Sequence, residues 1–90
     1  MEITHDESAS KFFVVIDGAE AHLVYRRVDA DTVDFVHTFV PPEHRGRGIA
    51  EALVRHAFAF ARTHGLHVIP SCWYVRRLAE RDPELGALTT

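Results

Sequence analysis

The sequence has a single cysteine, no long apolar run and no excess of basic residues. One cysteine excludes an internal disulfide framework and a cysteine-rich zinc site. Without about 18 consecutive apolar residues, no segment is expected to span a membrane. A net charge of -3 and a pI near 6.1 argue against a general nucleic-acid binder, which normally carries a strongly basic face. The first residues are polar and acidic, unlike a signal peptide, so we expect a cytoplasmic protein.

Metal-binding patterns are also missing, although the chain contains seven histidines. There is no HExxH motif, and no two histidines have the i, i+4 spacing that places two ligands on one helix face. His64 and His67 flank Gly65, which we expect to break the helix between them. We therefore predict no metal site and interpret the histidines as scattered surface or half-buried side chains.

The length of 90 residues, 47% of them apolar, predicts one domain (1-90) with a modest core. Segments rich in β-branched and aromatic residues predict three strands, at residues 11–17, 21–27 and 32–40. Turn signals separate them, so the strands should be antiparallel. We expect residues 1–10 to be a flexible or edge segment. In the third strand, two alternating sets are both largely apolar, which predicts a central strand covered on both faces: Val33, Phe35, His37 and Phe39 against Asp34, Val36, Thr38 and Val40.

After Pro41-Pro42 the pattern changes to helix, strand and helix. Apolar residues that recur every three or four positions predict a helix from Ile49 to His64. A short apolar strand follows at residues 66–69, and Ser71 is placed to cap a last helix that runs to about Arg81. The order β-β-β-α-β-α predicts an α+β fold with a mixed sheet, in which strands three and four are parallel neighbours joined by a helical crossover.

The loop at residues 43–48, between the third strand and the first helix, has the chemistry of an anion site. Unpaired N–H groups and the helix dipole attract anions at a helix N-terminus. Glycines at 46 and 48 allow close approach of a ligand, and the two neighbouring arginines add positive charge. The loop has neither the Lys-Ser/Thr of a Walker loop nor the G-x-G-x-x-G of a dinucleotide fold. On this chemistry alone, a plain turn with solvated arginines is an equal alternative to a pyrophosphate cradle.

A resemblance to a known family favours the cradle. Arg45-x-x-Gly48-x-Ala50 resembles the acetyl-CoA motif of the GNAT acetyltransferase superfamily, Arg/Gln-x-x-Gly-x-Gly/Ala. The resemblance to small, single-domain, YjdJ-like GNAT proteins extends over about residues 12–85 and includes His37-Thr38, Val40-Pro41, Gly65-Leu66, Val68-x-Pro70-x-Cys72 and Asp82-Pro83-Glu84. It implies a compact GNAT-like fold whose two parallel strands are splayed around acetyl-CoA.

The resemblance also implies which residues hold the cofactor. The pantetheine arm would bond to the backbone near Phe39 and Val40, and the pyrophosphate would lie on Arg45, Gly46, Arg47, Gly48, Ile49 and Ala50. Two features depart from the family pattern. The acidic residue that usually follows His-Thr is replaced by Phe39, so a carboxylate base is missing there. The usual His-Pro-Glu-Tyr/Phe ending is Asp82-Pro83-Glu84-Leu85.

Acetyl transfer to an amine requires removal of a proton and stabilisation of an oxyanion. Cys72 should open the last helix, where the helix dipole stabilises a thiolate, and the resemblance places it near the acetyl group. It is a candidate for transient acetylation, with a small buried core residue as the alternative. His37 is a candidate general base, or equally a packed histidine. Trp73 and Tyr74 could line the thiol end of the site or donate a proton.

The leading hypothesis is an acyl-CoA N-acyltransferase that moves an acetyl group from acetyl-CoA to an amine on a small molecule or a protein. The alternative is a CoA-binding sensor or protein-interaction module without turnover. It is favoured by Phe39 and by the short turn at residues 17–21, where larger GNAT enzymes have helices. A plain α+β domain with an accidental glycine turn is a third interpretation. We expect no nucleic-acid or membrane partner, and a monomer or weak homodimer.

Overall fold

Five strands form one mixed sheet in the computed structural model, which describes residues 1–90. Their order in the sheet is the order of the chain: β1 (Thr4–Asp6), β2 (Lys11–Ile16), β3 (Ala19–Asp29), β4 (Thr32–Phe39) and β5 (His67–Ile69). Neighbouring strands are antiparallel from β1 to β4, and β5 is parallel to β4. The predicted α+β fold with a mixed sheet is therefore confirmed.

Three helices complete the fold: α1 (Ile49–Thr63), α2 (Trp73–Arg81) and the short α3 (Pro83–Gly86). A 3-10 turn at Pro42–His44 follows β4. The prediction that Ser71 caps α2 is wrong, because the cap position is Cys72 and no side chain caps the helix there. Asp82 ends α2 as expected, and its carboxylate also accepts the N–H of Glu84 at 3.0 Å, which starts α3. No helix of this chain is both long enough and apolar enough to cross a membrane.

The N-terminal segment contributes β1, the first strand of the sheet. Thr4 pairs with Phe13 and Asp6 pairs with Lys11. His5 holds the strand from its inner side, since its ring stacks on Phe12 with centroids 4.1 Å apart. Nε2 of the same histidine lies 2.7 Å from the Tyr25 hydroxyl. Burial lowers the pKa of His5 and raises the pKa of Tyr25.

The core lies between α1 and the inner face of the sheet. Helix α1 contacts β2, β3, β4 and β5, so its single apolar stripe covers most of the sheet. Phe35 of β4 and Phe58 of α1 meet edge to face at the centre, with ring centroids 5.2 Å apart. The sheet and the helix supply most of the fully buried residues, which include Phe12, Leu23, Val33, Leu53, Val54, Ala57 and Ala61.

A β-bulge in β4 overturns the predicted alternation of that strand. Val24 of β3 pairs with His37, but its neighbour Tyr25 pairs with Phe35, so Val36 is an extra residue without a partner. Paired residues share a face of the sheet, and the side chains of His37 and Phe39 therefore lie on the outer face. The strand is central, as expected, but its outer face is not covered throughout, because Val36 and Phe39 are 42% and 37% exposed.

Replacement of Phe58 by alanine tests the central packing. Removing a buried ring that meets Phe35 leaves a cavity, so we expect the free energy of unfolding to fall by about 3–5 kcal/mol. Urea unfolding followed by circular dichroism measures the change. Val15, exposed on the outer face of β2, is the control, and Val15→Ala should cost less than about 1 kcal/mol. Equal losses for the two variants would contradict this packing.

The anchoring of β1 through His5 predicts a stability that falls in acid. The unfolded chain takes up a proton at the ordinary histidine pKa of about 6.5, whereas burial delays this in the folded chain. More protons are then bound in the unfolded state, so stability should decrease between about pH 7.5 and about pH 5.5. His5→Phe keeps an aromatic ring against Phe12 and removes the titration. Its melting temperature should change less over this range than that of the wild type, and parallel curves would refute the role of His5.

Candidate functional site

An open cleft of about 600 Å³ lies where β4 ends and α1 and α2 begin. The strand supplies backbone and side chains, the loop after it supplies two glycines and an arginine, and α2 supplies two aromatic rings. Lining residues are His37, Thr38, Phe39, Val40, His44, Arg45, Gly46, Gly48, Ile49, Ala50, Trp73 and Tyr74. Most of the residues expected to hold a ligand are therefore brought together, and the cleft wall contains no carboxylate.

The cleft exists because β5 is short. The last parallel pair is Asp34 with Ile69, and Pro70 follows, which cannot donate to a strand ladder. The backbone N–H of Cys72 then donates to the Phe35 carbonyl at 3.0 Å, and α2 begins at the next residue. Beyond Phe35, β4 thus has no strand beside it on the β5 side. The N–H and C=O groups of such an unpaired edge are available to an extended ligand.

The loop at residues 45–48 delivers backbone N–H groups to the cleft. Gly46 and Gly48 have φ values of +81° and +80°, in the left-handed region that glycine adopts without strain. Gly48 occupies the cap position of α1, and no side chain there bonds to the first turn. The first N–H groups of the helix, with its dipole, are therefore left for an anion. The local sequence was sufficient to predict this arrangement.

Arg45 is held across the base of the loop, and Arg47 is not. Nε of Arg45 donates to the Val40 carbonyl at 2.9 Å, and the guanidinium carbon lies 5.9 Å from the centre of the Phe39 ring. These contacts tie the end of β4 to the loop. Arg47 is exposed and does not line the cleft, so of the six loop residues expected at the ligand it is the one left outside.

His44 is a lining residue that sequence reasoning missed. The 3-10 turn at Pro42–His44 folds its ring inward, so that only 5% of the residue is exposed. Nε2 lies 4.0 Å from a carboxylate oxygen of Asp17, and Nδ1 is buried without a hydrogen-bond partner. A polar loop residue gives no local signal for burial. Its position depends on the packing of the β2–β3 turn against the turn after β4.

The two candidate catalytic residues differ in their access to the cleft. His37 is exposed and lines it. Cys72 is 7% exposed and is not part of the wall, and its Sγ lies 3.5 Å from Oγ1 of Thr38. Thr38 itself lines the cleft, so the thiol lies buried behind this lining residue, whereas the imidazole of His37 borders the cleft directly.

Two aromatic residues at the start of α2 form the far side of the cleft. Trp73 is 72% exposed, and its ring meets that of Tyr74 edge to face at 5.8 Å. Burial raises the pKa of the half-buried Tyr74, so its hydroxyl keeps its proton at neutral pH. Tyr74 is thus a hydrogen-bond donor at the cleft.

Known proteins resemble this chain over nearly its whole length. Residues 11–88 match the family described as GCN5-related N-acetyl-transferase. Protein NATD1 of Xenopus tropicalis is 35% identical over 85 residues, which cover 92% of this chain and 78% of that protein. Protein NATD1 of Homo sapiens is 34% identical, with coverages of 92% and 75%. The NMR solution structure of a GCN5-like protein from Staphylococcus aureus matches with a TM-score of 0.79 and 28% identity, covering 99% of this chain and 87% of that one.

Proposed function

The chain belongs to the GCN5-related N-acetyltransferase family, and from this premise we propose that it transfers the acetyl group of acetyl-CoA to a primary amine. The observation that carries the proposal is the cleft between the unpaired end of β4 and the glycine loop that starts α1. One wall suits an extended chain of amides, and the loop suits a pyrophosphate. Acetyl-CoA has both parts, and it supplies the activated acetyl thioester.

The residues of the loop fit the phosphate end of acetyl-CoA. Gly46 and Gly48 have open space where a Cβ would stand, so a phosphate can approach the backbone closely. Arg45 adds a fixed positive charge beside these N–H groups, and exposed Arg47 can approach from solvent. The bond from Arg45 to the Val40 carbonyl keeps the loop at a constant distance from the strand. The pantetheine arm would then lie along Phe39 and Val40.

The side chains around the other end of the cleft fit acyl transfer. His37 would take the proton of the attacking amine, since its ring lines the cleft and an imidazole nitrogen can act as a general base. Tyr74, which keeps its proton, is placed to donate to the departing sulfur. Cys72 would have to be reached through Thr38, so its burial favours direct attack by the amine over an acetyl-cysteine route.

We predict that acetyl-CoA stabilises the protein against unfolding and that this effect depends on Gly48. At about one hundred times its dissociation constant, acetyl-CoA should stabilise the wild type by about 2.7 kcal/mol. Gly48→Val forces a β-branched residue to a φ of +80° and should remove most of this shift. Thermal unfolding with and without millimolar acetyl-CoA measures it.

Gly18→Val is the matched control for that experiment. Gly18 also has a φ of +80° and open space at its Cβ position, but it lies in the β2–β3 turn and does not line the cleft. It should lower the melting temperature through strain and leave the acetyl-CoA shift intact. If the wild type shows no shift, or if both variants lose it equally, the assignment of the loop is wrong.

Transfer itself predicts different results for His37 and Cys72. With acetyl-CoA and a panel of primary amines that includes lysine peptides, release of free CoA thiol measures turnover. His37→Gln should lower turnover by about 10²–10⁴-fold, the usual range for loss of a general base. Cys72→Ala should stay within about twofold of the wild type if the amine attacks directly.

Mass spectrometry separates the two routes and the alternative function. An acetyl group on Cys72, lost with turnover in Cys72→Ala, would establish the acetyl-cysteine route instead. Tight binding of acetyl-CoA with no transfer to any amine of the panel would contradict the proposal and favour a CoA-binding module.

A further inference from the structure

Polar and aromatic side chains surround His37 on the outer face of the sheet. The pairing of β3 with β4 sets His22 opposite Phe39, and Val24 opposite His37. The ring centre of His22 is 5.6 Å from that of Phe39 and 6.4 Å from that of His37. Both of these neighbours line the cleft, whereas His22 stands beside them, one strand further into the sheet. A histidine thus adjoins the cleft wall on the outer face of the sheet.

Glu20 fixes the orientation of this second histidine. Its Oε2 lies 2.9 Å from Nδ1 of His22 and 2.9 Å from Nζ of Lys11. The hydrogen bonds from Lys11 and His22 lower the pKa of Glu20, so the carboxyl group is ionised at neutral pH. A carboxylate only accepts hydrogen bonds, so Nδ1 of His22 carries the donated hydrogen. In the neutral imidazole, Nε2 is then the atom that can accept a proton.

We propose that Glu20 and His22 are positioning residues that receive, through His37, the proton released by the acceptor amine. The inference rests on the transferase function proposed above. The amine nitrogen bonds to the acetyl carbon, and the C–S bond breaks with its electron pair going to sulfur. The proton that leaves nitrogen passes to His37 and from there, through a bridging water across the 6.4 Å between the ring centres, to Nε2 of His22. The Glu20 carboxylate offsets the resulting positive charge, and the sulfur takes its proton from Tyr74 or solvent.

Few other side chains near the cleft can accept the proton that leaves the amine. No aspartate or glutamate lines the cleft, and His44 is buried. The other charged groups near His22 on the outer face are Lys11, which is bound to Glu20, and Arg45, over Phe39; both are cationic. Oδ2 of Asp34 lies 3.6 Å from Nη2 of Arg26, and this ion pair is further along the strands. An isolated ion pair between Lys11 and Glu20 would contribute little to stability. The hydrogen bond between Glu20 and His22 is what connects this carboxylate to the cleft.

The experiment compares the pH dependence of turnover in His22→Gln and Glu20→Gln with the wild type. It uses the full chain, acetyl-CoA and the amine of the panel that the wild type acetylates fastest. Near pH 7, His22→Gln should lower kcat/KM for the amine about tenfold, which is less than the loss of about 10²–10⁴-fold expected for a general base. The KM for acetyl-CoA should stay unchanged. The deficit should shrink as pH rises, because hydroxide in the solvent then competes as the acceptor of the proton that leaves the amine.

The accompanying variants separate a proton path from a structural role. Glu20→Gln should show the same pH-dependent deficit at smaller size, since His22 keeps its ring and loses the charge that supports it. His67→Gln, exposed on β5 and outside the cleft, should match the wild type at every pH. A deficit of constant size across pH, or none in either variant, would overturn the inference while the transferase proposal stands. A wild type that binds acetyl-CoA and acetylates none of the amines overturns both.

Discussion

The early end of β5 is the constraint on which the site depends. Three residue pairs join β5 to β4, and the chain then leaves the sheet at Pro70. If β5 continued alongside β4, its backbone would occupy the groups that now border the cleft. The bulge at Val36 adds a second effect, because it turns His37 and Phe39 to the outer face just where the pairing stops. The missing neighbour of β4 and the extra residue Val36 thus open a cleft at the edge of the sheet.

The helices and the loop could be predicted because their signals are local. The apolar repeat that begins at Ile49 and the glycines at 46 and 48 act within a few residues, and α1 was placed to within one residue of its end. The bulge could not be predicted, because Phe35-Val36-His37 are all compatible with a regular strand. The pairing with Tyr25 and Val24 on the neighbouring strand decides which of them is the extra residue.

Among the side chains around the cleft, some positions could likewise be predicted from the sequence and others could not. The resemblance implied that Cys72 lies near the acetyl group, but its contact with Thr38 and its burial depend on tertiary packing. His44 and the contact of Glu20 with His22 were not foreseen, because nothing in their local sequence marks them. Membership of the YjdJ-like subgroup stays a prediction. Phe39 supplies no carboxylate to the cleft, and imidazoles are proton-accepting side chains present there.

The position of Trp73 has a practical consequence. It is the sole tryptophan of the chain and stands, 72% exposed, at the mouth of the cleft. The indole of the unlabelled protein is therefore a fluorophore at the proposed binding cleft, and no second indole contributes to the emission. A molecule that enters the cleft displaces water from this ring, and the emission spectrum reports its occupancy directly. A ligand that binds without being acetylated changes this emission in the same way as a true substrate.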